Sequence, residues 1–133
     1  MNETIEYYNE HADEFVQGTV DADMSEMRDR FLKHIHEGGL ILDLGCGSGR
    51  DSKAFIDAGY RVGSVDASEG LCKRAELVTG QKVIYSTFQE YKPSEKFDGI
   101  WACASLLHLE FSELQQTIRR YFTFLKRGGW MYM

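Results

Sequence analysis

Residues 40–52 read LILDLGCGSGRDS, an apolar run that passes directly into a loop with glycine at positions 45, 47 and 49. A short apolar stretch of this kind suits a strand buried on both faces. Glycines so closely spaced allow a tight turn and let a ligand approach the backbone. The helix expected from Arg50 to Ala58 offers unpaired N–H groups at its start. A loop of this kind between strand and helix belongs to an α/β sheet, with its ligand at the carboxyl ends of the strands.

The rest of the chain follows the same alternation. YRVGSVD gives a second strand ending at Asp66, and Ser68 caps a helix carrying Leu71, Cys72, Ala75 and Val78. KVIYS gives a third strand, FQEYKPSEK a polar connection, and FDGIWAC a fourth strand. Ser112 and Gln115 have the spacing of a capping box ahead of a helix through Leu114, Ile118, Tyr121, Phe122 and Leu125. Gly128-Gly129 would end that helix, and WMYM would begin strand five. Upstream, Ile5, Tyr8, Ala12, Phe15 and Val16 recur at helical spacing, as do Met24, Met27, Phe31 and Ile35, so residues 1–39 read as two helices. The predicted fold class is therefore α/β: a Rossmann-like, doubly wound, mostly parallel sheet of about five strands behind two N-terminal helices. With 133 residues, a single domain is expected.

Composition excludes several classes of function. The net charge of −6 argues against nucleic acid as partner, since phosphate binding needs clustered Lys and Arg. No apolar run is long enough to span a membrane, and the acidic N-terminus lacks the layout of a signal peptide; a cytoplasmic location is expected. Cys46, Cys72 and Cys103 are far apart and odd in number, which indicates neither disulfides nor a zinc site, and no metal site is expected.

Asp66, at the end of strand two, can accept hydrogen bonds from ribose hydroxyls, so with the glycine loop it points to an adenosine-containing cofactor. The dinucleotide fingerprint needs G-x-G-x-x-G, and Arg50 stands where its third glycine should be. The spacing thus favours a ligand without a pyrophosphate. A P-loop is excluded because no G-K-[ST] follows.

These segments together resemble class I S-adenosylmethionine-dependent methyltransferases. ILDLGCGSGRDS resembles their first motif, VDAS their acidic second motif, FDGIWACASLLHL their fourth-strand segment, and LKRGGWMYM their turn into strand five. GCGSGRDS, ACASLLHL and the N-terminal YYNEHADEF are most similar to the small tellurite-resistance-type methyltransferases. The resemblance implies strand order 3-2-1-4-5, with the family's sixth and seventh strands absent because the chain stops within strand five. It implies S-adenosyl-L-methionine as cofactor and a small-molecule methyl acceptor, a metabolite or a tellurite-like oxyanion. The backbone of Gly45, Cys46 and Gly47 would pass beside the methionine part, and Asp43 would orient its amino group. Asp66 would hold the ribose, with Ala67 and Ser68 beside the adenine and Thr87 and Phe88 flanking it. Ala102, Cys103, Ala104 and Ser105 would line the methyl-donor end, and Tyr8 would close over the site.

Methyl transfer is an in-line displacement that asks chiefly for alignment. A general base is needed only for an acceptor that must lose a proton; His108 is the titratable candidate, with a structural role at the start of a helix as its other reading. Two rival functions stand beside this one: a non-catalytic cofactor-binding or interaction module, and a fragment of an NAD(P)-dependent oxidoreductase. Strand five would leave an apolar open edge carrying Trp130, Met131 and Tyr132, an invitation to homo-oligomerise.

Overall fold

The computed structural model describes residues 24–102 and 109–133. The elements in chain order are α1 (Ser25–Leu32), β1 (Leu40–Leu44), α2 (Arg50–Asp57), β2 (Arg61–Asp66), α3 (Glu69–Thr79), β3 (Ile84–Tyr85), β4 (Phe97–Trp101), α4 (Phe111–Phe122) and β5 (Leu125–Tyr132). The strands form one sheet in the order β3-β2-β1-β4-β5, with every pairing parallel. Both the α/β class and the strand order agree with the sequence reading. The first of the two expected N-terminal helices lies outside the described residues.

β1 is central and buried along its whole length, which is why it reads as a continuous apolar run. Its side chains alternate between faces. Leu40, Leu42 and Leu44 join Val65, Phe97, Ile100 and Tyr121 in the larger core, against which Leu114 and Ile118 of α4 pack. Ile41 joins Phe31 and Ile35, Phe55 of α2 and Trp101 in the core of the opposite face. α1 can approach β4 because residue 99 is glycine: a Cβ there would lie 2.6 Å from both Phe31 Cζ and Ile35 Cδ1.

Gly49 serves a different contact. It precedes α2 with φ near +88°, and a Cβ on it would stand 3.1 Å from the Cα of Ala75 in α3. The third glycine of the loop thus brings two helices together. Gly49→Ala combines left-handed strain with a tight contact on the Ala75 backbone and should cost about 1–3 kcal/mol, read as a lower urea midpoint at unchanged m-value.

Three local expectations are corrected. Ser112 does not cap α4: the helix starts from Glu110, in extended conformation, without a side-chain cap. The helix does not run to Leu125 and Gly128-Gly129 does not end it. It stops at Phe122, Leu125 already pairs with Phe97, and the two glycines lie in an irregular stretch before Trp130 rejoins the ladder opposite Gly99. The β3–β4 connection is less polar than its composition suggests. Phe88 and Tyr91 are buried under α4, and the Phe88 carbonyl accepts hydrogen bonds from Tyr121 Oη at 2.8 Å and from Arg120.

Candidate cofactor site

The glycine loop joins β1 to α2 at the carboxyl end of the sheet. Most of its amides are engaged by the end of β2. Gly45 N–H and Cys46 N–H both donate to Val65 O, at 2.8 and 2.9 Å. Gly47 N–H donates to Asp66 Oδ2 at 2.9 Å, and Ser68 N–H to Asp66 Oδ1 at 2.8 Å. Asp66 is therefore the clasp between the loop and the β2–α3 turn. Burial pushes its carboxyl above the usual range, partly offset by the Gly47, Ser68 and Ala67 amides. A carboxylate offers about four acceptor positions, so three amides leave room for roughly one further donor rather than for both hydroxyls of a ribose. Ser68 fulfils its expected role at the start of α3, accepting from Leu71 N–H at 3.3 Å.

Asp43 lies beneath the loop, almost wholly buried. Ser52 Oγ donates to its Oδ2 at 2.7 Å and also lies 2.7 Å from Ser64 Oγ, tying α2 to β1 and β2. Burial raises the Asp43 carboxyl from 3.8 to about 7; the Ser52 hydrogen bond opposes this, and the charges of Asp51 and Asp66 add to it. This is an acid short of positive charge, in a place where a cation would relieve it.

These features test what the site can hold. A pyrophosphate needs open loop amides and a positive surround; here three loop amides are engaged and two buried carboxylates adjoin them. The donor set instead suits a ligand with a cationic amino group and sulfonium and an adenosine. The sheet end is also braced at Asp51, whose carboxylate accepts from Arg28, Arg50 and Trp101.

The comparisons with known proteins decide the family. The methyltransferase domain family matches residues 41–129. The chain belongs to this family. An uncharacterised methyltransferase of Anoxybacillus flavithermus is 30% identical over 94 residues, covering 69% of this chain and 44% of that protein. A glycine/sarcosine N-methyltransferase of Aphanothece halophytica is 32% identical over 141 residues, covering 97% and 52%. The chain thus spans about half the length of the curated relatives it matches. In fold it is similar to a TehB-like SAM-dependent methyltransferase from Corynebacterium glutamicum, with a TM-score of 0.76 at 19% identity, over 90% of this chain and 69% of that one.

Within this methyltransferase domain the expected site residues divide into four groups. Asp43, Gly45, Cys46, Gly47, Asp66, Ala67 and Ser68 are brought together at the ends of β1 and β2. Ala102 directly follows β4, buried in the core, with its N–H bonded to Tyr132 O at 2.9 Å. Thr87 is half-buried beyond β3, whereas the neighbouring Phe88 ring sits in the α4 core, so packing governs its position. Tyr8, Cys103, Ala104, Ser105 and His108 lie outside the described residues. Cys46 and Cys72 are buried free thiols, and burial pushes both above the usual thiol range, Cys72 to about 12. Neither has thiolate character at neutral pH, which removes them as nucleophiles. Sequence reasoning missed Asp51 and Arg28; the one local signal was an acidic residue in the first turn of a helix, which the helix dipole already explains. No described helix is long and apolar enough to cross a membrane.

Proposed function

We propose that the loop, Asp43 and Asp66 bind S-adenosyl-L-methionine and that the chain transfers its methyl group to a small-molecule acceptor. The observation that carries this reading is the buried, charge-deficient Asp43 beneath a loop whose amides are already engaged. When bound, the cofactor supplies a methyl group activated by positively charged sulfur. Asp43 then orients the amino group, directly or through water, and stays ionised because of it. Asp66 accepts one ribose hydroxyl while keeping its three amides. Ala67, Ser68 and Thr87 border the adenine, and Ala102, with Cys103, Ala104 and Ser105, borders the methyl-donor end. Tyr8 covers the site. His108 takes the proton from acceptors that must lose one.

The likeness to a glycine/sarcosine N-methyltransferase supports an amine-bearing metabolite as acceptor, and the TehB-like fold keeps a tellurite-like oxyanion beside it. Transfer of labelled methyl from S-adenosylmethionine to glycine-type amines or tellurite tests the reading. Binding without transfer to any acceptor would favour the non-catalytic module. The net charge of −6 leaves nucleic acid and membrane surfaces out of this reading, and the buried free thiols suit a cytoplasmic location.

β5 forms one edge of the sheet. It carries the half-exposed Trp130, whose indole stacks on His34 at 3.7 Å, beside an exposed Met133. Pairing of this edge with a second copy follows from its open apolar surface. Sedimentation over a concentration series should show self-association that Trp130→Lys weakens; a monomer at every concentration would contradict it.

A further inference from the structure

Asp51 is the second residue of α2, and its carboxylate is filled by donors from three separate segments. Oδ1 accepts from Arg28 Nη1 at 2.7 Å and from Arg50 Nε at 3.0 Å. Oδ2 accepts from Arg50 Nη2 at 2.9 Å and from Trp101 Nε1 at 2.9 Å. Both arginine side chains are only 16% exposed and that of Asp51 7%. Two of these donors are far away in sequence: Arg28 is on α1, and Trp101 is the last residue of β4, directly before Ala102. The next residue in the chain, Ser52, bonds to Asp43 and Ser64. The first turn of α2 thus ties together α1, the end of the glycine loop and the carboxyl ends of three strands.

We propose that Asp51 is a positioning residue of the cofactor site: its carboxylate holds α1, the glycine loop and the end of β4 in one register, so that the site is complete only when all three are joined. The proposal rests on the cofactor reading above. An acid in this place also adds to the negative field that burial already makes unfavourable for Asp43. Of the arginines it gathers, Arg50 offsets part of that field, so the joint shapes the electrostatics of the site as well as its geometry. A charge-assisted, doubly filled carboxylate makes a stiff joint, because each bond fixes the direction of the others.

The experiment is calorimetric titration of S-adenosylhomocysteine into the wild type, Arg28→Met, Trp101→Phe, Asp51→Asn and the corresponding doubles, each checked for folding by circular dichroism. Arg28→Met and Trp101→Phe remove one donor each and leave the carboxylate in place. Each single loss should weaken binding roughly tenfold, the size expected when coupled neighbours are separated. In the Asp51→Asn background the further loss from Arg28→Met should largely vanish, because the joint is already broken. Should Asp51→Asn fail to fold, the Arg28→Met, Trp101→Phe cycle carries the same test. The chain has two tryptophans, so Trp130→Phe leaves Trp101 as the sole emitter. Its emission should shift in Arg28→Met, because the carboxylate that holds its indole N–H loses a partner.

Folded variants with lower stability but unchanged affinity would overturn the proposal, since the network would then be only structural. So would strictly additive losses of affinity. A wild type that binds no S-adenosylhomocysteine would overturn the cofactor reading itself and this proposal with it; wild-type binding with unaffected variants overturns this proposal alone.

Discussion

Asp43→Asn should make the ligand-free protein more stable at pH 8 while abolishing cofactor binding. The reason is the position of Asp43, buried among other carboxylates, where its pKa rises from 3.8 to about 7. The folded state therefore binds a proton more tightly than the unfolded chain. The stability that this gives is complete below about pH 4 and is lost as pH rises through about 7. Over that window the loss amounts to roughly 4 kcal/mol. The amide remains neutral throughout and can still accept from Ser52, so the substitution removes that loss without opening a cavity. Asp51 responds oppositely. Burial pushes it up, but Arg50, Trp101 and Arg28 outweigh burial and hold it below the usual range, so its contribution is lost only in acid. Subtracting the stability–pH curves of wild type and variant isolates Asp43. The difference should be near zero at pH 4 and grow to its full size above pH 7. A difference that is flat with pH would contradict the assignment. The same ionisation predicts that cofactor binding releases a proton below pH 7 and that affinity rises with pH until about 7.

Asp66→Ala should act in the opposite direction on stability and the same direction on binding. The carboxylate is the partner of the Gly47 and Ser68 amides. Its removal leaves these donors buried or poorly solvated, at about 1–3 kcal/mol for each. The loop then loses its clasp to β2, and the ribose loses its acceptor. We expect a fall in stability of several kcal/mol together with a loss of S-adenosylhomocysteine affinity of about a hundredfold. Asp66→Asn is the informative companion, because an amide oxygen can retain only part of the three backbone bonds. It should recover part of the stability and less of the affinity. Equal recovery of both would mean that Asp66 acts on the cofactor only through the loop.

The sheet was legible because parallel strands buried on both faces leave continuous apolar runs, and LILDL and FDGIW are such runs. The ends of α4 were not. Ser112 and Gln115 have the right spacing for a cap, but the extended backbone at Glu110 starts the helix two residues earlier. Leu125 fits the helical period of Ile118 and Tyr121, yet its pairing with Phe97 puts it in the strand, a tertiary contact that no local pattern displays. The site shows the same division. Asp43, the glycine loop and Asp66 are contiguous with their strands and were readable. The Asp51 joint is assembled from residues 28, 50 and 101, and only the fold brings them together.

The proposed S-adenosylmethionine site rests on a charge-deficient acid beneath a glycine loop whose amides are held by β2. The most direct measurement is calorimetric titration of S-adenosylhomocysteine into the wild-type chain at pH 6, in two buffers of different ionisation enthalpy. Binding is expected, with observed heats that differ between the buffers because Asp43 gives up a proton, and no such difference at pH 8. No binding to folded protein, or binding with the same heat in both buffers at pH 6, would contradict it.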